Sequence, residues 1–94
     1  MKTITVRIPT PLRAYTHGAD EVRAEGATVA DAMRALGDAY DGLLAQVLTE
    51  DGEPRQFVNI YLGSRNVRAL QGMRTPVAEG DVISIVPAVA GGRA

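Results

Sequence analysis

The chain has 94 residues, 46% of them hydrophobic and 4% aromatic, with ten Lys and Arg against eleven Asp and Glu, and a net charge of −1 at pH 7. This length predicts one domain with a core of aliphatic side chains. The near-neutral charge argues against a general nucleic-acid binder. No stretch approaches the roughly 20 apolar residues of a membrane span, and no signal-peptide pattern opens the chain, so we expect a soluble cytoplasmic protein.

The chain contains no cysteine. Disulfides, thiolate metal sites, iron–sulfur clusters and a side-chain thiol that could carry sulfur are therefore excluded. His17 is the only histidine and lies in a polar loop, so a metal or catalytic role is disfavoured. Lys2 is the only lysine and stands at the start of the first predicted strand. We predict no catalytic residue and no metal site, which leaves carboxylates, hydroxyls and the chain terminus for any chemistry.

Residues 3–8 alternate polar and apolar side chains with period two, which predicts a half-buried strand with three residues on its inner face: Ile4, Val6 and Ile8. Pro9 and Pro11 end this strand. A shorter strand is predicted at 21–24, closing at Gly26. The two strands are predicted to form a hairpin joined by a loop of about a dozen residues.

Thr28 is predicted to cap a helix, with Asp31 three residues later complementing the helix N-terminus. Apolar residues then recur at helical spacing, which predicts one amphipathic helix over residues 29–40. Gly37 lies inside that helix and is expected to weaken its end. A further short helical turn beneath the sheet is predicted from four apolar residues: Leu43, Leu44, Val47 and Leu48.

The strongest strand pattern is FVNIYL at 57–62. A turn is predicted at 63–66, a short edge segment at 67–70, and a last strand at 82–86 that Pro87 ends. The resulting order is β-β-α-β-(β)-β. An apolar last strand is expected to lie centrally, in parallel with the first strand and beneath the helix.

This order predicts an α+β fold of the β-grasp (ubiquitin-like) type, with a mixed sheet packed on one main helix. The β-grasp domain is predicted over residues 1–87, followed by a flexible C-terminal tail at 88–94. A ferredoxin-like plait is the competing arrangement. It requires a second full helix between residues 62 and 82, where the stretch QGMRTPVAEG at 71–80 contains two glycines and a proline that disfavour one.

Three stretches resemble the ubiquitin-like sulfur carriers of the MoaD/ThiS family: IPTPLR at 8–13, RQFVNIYL at 55–62 and GDVISIVPAVAGG at 80–92. The resemblance covers essentially the whole chain. It is closest to the carriers of an actinobacterial cysteine-biosynthesis route. Paired glycines alone are common in loops, but Gly91 and Gly92 directly follow a terminal strand in a β-grasp order.

The resemblance implies that the protein is not an enzyme but a co-substrate of other enzymes. An E1-like enzyme uses ATP to adenylate the C-terminal glycine carboxylate, and sulfur then replaces AMP to give a thiocarboxylate. A sulfur-acceptor synthase, cysteine-synthase-like or other, takes up that sulfur for cysteine or another sulfur-containing metabolite. The carrier itself is expected to bind no cofactor. Glycine suits the tail because it has no Cβ and can approach the nucleotide closely.

Two alternatives remain at this stage. A ubiquitin-like modifier would form the same adenylate but would join Gly92 to lysines of target proteins. A plain β-grasp binding module would make no use of its tail.

Gly92 is followed by Arg93 and Ala94, so its carboxyl group is held in a peptide bond. The resemblance implies that a zinc metalloprotease of the JAB1/MPN type removes these two residues, with Gly92–Arg93 as the processing site. A cloning artefact and a loss of function are the alternatives.

A docking face is predicted on the side of the sheet away from the helix. Period two places Ile83 and Ile85 toward the helix and Ser84 on the opposite face, together with the five residues that we predict to bind partners: Phe57, Asn59, Tyr61, Val82 and Val86. Exposed apolar patches usually mark interaction sites, and the resemblance implies that the activating and acceptor enzymes dock here. The alternative is a second face with ordinary scattered apolar residues. Three loop arginines, Arg65, Arg68 and Arg74, are candidates for a rim of this patch, but arginines in loops are more often solvated, and we interpret them so.

Overall fold

A computed structural model describes residues 2–87, so the predicted tail, with Gly91, Gly92 and Arg93, lies outside the described residues. Its strands are β1 (Lys2–Arg7), β2 (Glu21–Gly26), β3 (Val58–Leu62), β4 (Arg65–Asn66) and β5 (Val82–Pro87). They form one five-stranded sheet in the order β2-β1-β5-β3-β4. The helices are α1 (Val29–Ala39), α2 (Leu43–Val47) and three 3₁₀ helices at Thr10–Thr16, Val67–Ala69 and Gly72–Arg74.

The last strand is central, as predicted. β5 runs parallel to β1, with Val6 opposite Ile83, and antiparallel to β3, with Ile60 opposite Ile85. This mixed sheet with α1 on one face confirms the β-grasp fold. Because β1 and β5 are parallel, both finish at the end of the sheet where β3 begins. We call this end, where Pro87 pairs with Val58, the tail end of the sheet.

The start of α1 is capped as predicted. The Asp31 backbone N–H donates to Thr28 Oγ1 over 3.2 Å, and Asp31 Oδ2 accepts from the Ala27 N–H over 3.3 Å. These bonds satisfy two donors near the helix start. The apolar stripe of α1 is buried against the sheet through four residues: Val29, Ala32, Met33 and Leu36.

Gly37 has a packing reason that the sequence pattern did not indicate. The helix continues through it to Ala39. A Cβ built at Gly37 would lie 2.6 Å from Leu44 Cγ of α2, closer than real atoms approach. The glycine therefore lets the two helices pack together.

The long loop after β1 contains a 3₁₀ helix, Thr10–Thr16, rather than irregular chain. Thr16 is buried, and its Oγ1 lies 2.8 Å from the Ala19 carbonyl oxygen. The predicted turn at 63–66 and edge segment at 67–70 are also wrong in part. Arg65–Asn66 pair with β3, whereas Val67–Ala69 turn into a 3₁₀ helix.

The Asn66 side chain explains where this edge strand stops. Its Oδ1 accepts the Arg68 backbone N–H over 2.9 Å, so it caps the 3₁₀ helix that replaces the predicted strand. Local side-chain bonds of this kind compete with strand pairing.

Within residues 2–87, no helix combines the length and the apolar character that crossing a bilayer requires.

Candidate partner-docking site

The outer face of the sheet carries two exposed apolar side chains at the two ends of β5, and a third exposed apolar residue lies just before β3. Phe57 is 45% exposed, Val82 36% and Val86 43%. Phe57 lies just before β3, while the two valines belong to β5. Phe57 and Val86 lie close to the tail end, since Val58 pairs with Pro87, whereas Val82 begins β5. Exposed large hydrophobics of this kind indicate a surface that another molecule covers.

The strand register brings the rest of the predicted docking face beside these residues. Asn59 lies opposite Val86, and Tyr61 lies opposite Ser84. Both β3 residues are half-buried on the outer face, whereas Ile83 and Ile85 of β5 are fully buried on the inner face. The strand faces thus agree with the period-two interpretation. That these five residues bind a partner stays a prediction.

The other half of the outer face has a different character. β2 presents three charged residues there, Glu21, Arg23 and Glu25. They lie opposite Arg7, Thr5 and Thr3 of β1. The apolar surface is therefore confined to the β5–β3 side.

Arg68, one of the three arginines interpreted from the sequence as solvated, instead lies at the rim of the docking face. Its guanidinium donates to Asn59 Oδ1 over 3.1 Å and to the Val58 carbonyl oxygen over 3.4 Å. The Asn66 side chain also donates to Asn59 Oδ1, over 3.2 Å. Asn59 thus holds Arg68 against the outer face beside Val86. The polar Asn59 within an apolar strand was the signal that the sequence offered. No sequence pattern indicated that Arg68, nine residues later, would contact it.

Arg74 does not join this rim. It is the last residue of the 3₁₀ helix Gly72–Arg74, which packs on α1. Pro76, two residues later, pairs with Thr28. Because Thr28 follows the end of β2, Arg74 lies toward the end of the sheet opposite the tail end.

The chemistry of the described site is that of a binding surface. Within residues 2–87, His, Asp and Glu side chains form no group of three that could hold a metal ion. What the geometry presents is an apolar patch with a basic rim at the edge where β5 ends.

A central parallel β1–β5 pair, one main helix and an exposed patch where the last strand ends define a ubiquitin-like β-grasp protein. The sequence model of the ThiS family matches residues 6–92 of the chain. The chain therefore belongs to the ThiS family.

Relatives along nearly the full length support this assignment. The chain is 40% identical over 91 residues to the sulfur carrier protein CysO of Mycobacterium tuberculosis, covering 95% of this chain and 98% of that protein. It is 44% identical over 68 residues to small archaeal modifier protein 3 of Haloferax volcanii, covering 72% and 73%. A chain in the crystal structure of the Amycolatopsis orientalis BexX/CysO complex superposes with a TM-score of 0.88 at 38% identity, covering 95% and 99%.

Proposed function

We propose that this protein is a sulfur carrier and that its sulfur is carried on the main chain at Gly92. The observation that carries the proposal is the family match, which extends through the diglycine and stops at residue 92. The identity to CysO over nearly the whole chain supports the same function.

The proposed chemistry has two steps. An E1-like enzyme joins the Gly92 carboxylate to the α-phosphate of ATP, and pyrophosphate leaves. Sulfide then attacks the acyl carbon, AMP leaves, and a thiocarboxylate remains. Neither step needs a side-chain thiol, which fits a chain without cysteine. The acceptor enzyme, cysteine-synthase-like or other, then takes the sulfur.

The docking face has a defined task in this proposal. The five residues that follow Pro87, up to and including Gly92, can span at most about 18 Å. An enzyme that receives Gly92 must therefore bind the domain close to the end of β5, where Val86 and Phe57 are exposed. A relative's occurrence in the BexX/CysO complex supports binding to a second protein.

Processing completes the proposal. Arg93 and Ala94 hold the Gly92 carboxyl group in a peptide bond, so a protease of the JAB1/MPN zinc type removes them before activation. The family match, which leaves both residues outside its range, supports this step.

Conjugation to proteins is the second candidate function. The identity to small archaeal modifier protein 3 favours it. Both functions share the adenylate and differ in whether a sulfur nucleophile or a lysine amine attacks it.

Intact-mass measurement with an E1-like enzyme, ATP and a sulfide source tests the proposal. A chain that ends at Gly92 is expected to gain the mass that replacement of one oxygen by sulfur gives. Gly92→Ala in the same short chain is the matched control. Its added methyl is expected to misplace the carboxylate, and a misplacement of about 1 Å can reduce the rate roughly a hundredfold.

Three results would contradict parts of the proposal. Similar sulfur gain by both chains would show that the glycine is not needed for access to the nucleotide. A chain that forms lysine conjugates but no thiocarboxylate would favour the modifier. Equal ATP–pyrophosphate exchange by the chain that retains Arg93 and Ala94 would show that processing is not required.

A further inference from the structure

A second feature lies at the tail end of the sheet, on the β1 side of Val86. It is a cleft of about 270 Å³ whose walls include Arg7, Arg13, Ser84 and Val86. Arg7 lies opposite Ser84 in the parallel β1–β5 pair. The 3₁₀ helix that follows β1 brings Arg13 back to the same place. We call this feature the arginine cleft.

Arg13 is held in the arginine cleft but is not neutralised there. Its Nε–H donates to the Ile8 carbonyl oxygen over 3.0 Å, and the side chain is half-buried. Among residues 2–87, no hydrogen bond or carboxylate reaches its two terminal amino groups. The half-buried Arg13 guanidinium is therefore held in one orientation, and its two terminal amino groups have no hydrogen-bond acceptor among the described residues.

Arg7 adds a second positive charge. Its Nε lies 3.7 Å from a Glu21 carboxylate oxygen, with 64% and 55% of the two side chains exposed. Exposed pairs of this kind contribute little to stability, so the Arg7 guanidinium is available to a second carboxylate. The Ser84 hydroxyl supplies one further donor on the cleft wall.

We propose that the arginine cleft receives an Asp or Glu side chain of the E1-like enzyme that adenylates Gly92. This inference rests on the proposed function and adds a specific recognition contact to it. A guanidinium with two free amino groups matches a carboxylate in a bidentate geometry. The cleft is continuous with the docking face through Val86, so one partner surface covers both.

Binding titrations of the whole 94-residue chain with the E1-like enzyme of the same organism test this contact. Arg13→Gln is expected to raise Kd about tenfold, because a hydrogen-bonded charge pair is lost at the interface. The salt dependence of Kd is expected to become less steep. Arg74→Gln is the matched control, since it removes the same charge near the opposite edge of the sheet, and its Kd should change by less than about twofold.

A structural role for Arg13 is tested separately, because its Nε–H bond supports the backbone at Ile8. Thermal unfolding of each variant shows whether the fold is kept. Arg7→Gln removes charge from the cleft without removing a hydrogen bond from the described fold. It is expected to raise Kd and flatten the salt dependence even if Arg13→Gln proves unstable.

The outcomes separate the two proposals. If the unaltered chain binds and Arg7→Gln and Arg13→Gln behave like Arg74→Gln, the arginine cleft is not a contact, while the proposed function stands. If neither the whole chain nor the chain that ends at Gly92 binds the enzyme, the proposed function fails and this contact fails with it.

Discussion

The two faces of the sheet show how one small domain separates folding from recognition. On the inner face, β1, β3 and β5 present only aliphatic residues to α1: Ile4, Val6, Val58, Ile60, Leu62, Ile83 and Ile85. On the outer face, exposed valines lie at the two ends of β5, and polar side chains cover β1 and β2. Packing in the core removes the inner residues from water, whereas the outer apolar residues stay exposed within the described fold.

β5 shows the difference within one strand. Ile83 and Ile85 are fully buried, and their neighbours Val82 and Val86 are among the exposed large hydrophobics of the described chain. Burial of a branched aliphatic side chain contributes roughly 1.5–3 kcal/mol. The inner residues therefore stabilise the fold, and the outer ones leave apolar area for a partner to cover.

The largest predicted effect on stability is on the inner face. Ile83→Ala is expected to lower the free energy of unfolding by about 2–5 kcal/mol, since it leaves a cavity beneath α1. Urea denaturation measures the change. Val82→Ala, one residue earlier on the outer face, is the control and should lower it by less than about 1 kcal/mol. Equal losses would contradict the division between the faces.

A smaller effect is predicted where the helices pack behind the inner face. Gly37→Ala is expected to lower the free energy of unfolding by about 1–3 kcal/mol, because the new methyl group overlaps Leu44. In a Leu44→Ala background the loss should shrink or reverse, which a double-mutant cycle would detect. Stabilisation by Gly37→Ala alone would instead show that the glycine only weakens the helix, as helix propensity predicts.

The helix cap predicts a still smaller loss. Thr28→Ala is expected to lower the free energy of unfolding by about 1 kcal/mol, because the Asp31 N–H loses its acceptor. Thr28→Ser keeps the oxygen and should remain close to the unaltered chain in thermal unfolding. If Ser and Ala destabilise equally, the hydroxyl is not what caps α1.

The elements that depend on local periodicity were predictable. Alternation in β5 distinguishes inner from outer residues, and Thr28 with Asp31 marks the start of α1 because a cap is made within one turn. The order of elements also placed β5 centrally. These patterns determined both the fold and the exposed side of the docking face.

What could not be predicted depends on contacts between distant residues. Gly37 follows a helix-weakening pattern, and its packing reason is visible only once Leu44 lies against it. Arg68 is a loop arginine until Asn59 holds it. Arg13 shares a cleft with Arg7 and Ser84 because the 3₁₀ helix after β1, which no sequence pattern indicated, brings Arg13 back to the end of β1. The two-residue β4 is too short to show an alternation of polar and apolar residues.

The measurement that tests the central claim most directly is the substitution Val86→Asp, examined for both folding and binding. It places a charge on the outer face at the end of β5, so the free energy of unfolding should change by less than about 1 kcal/mol. Its affinity for the E1-like enzyme should fall by about tenfold or more, because a charge disturbs a covered apolar patch. Phe57→Asp should behave alike. Unfolding by Val86→Asp, or unchanged affinity with the fold intact, would contradict the assignment of the outer face to recognition.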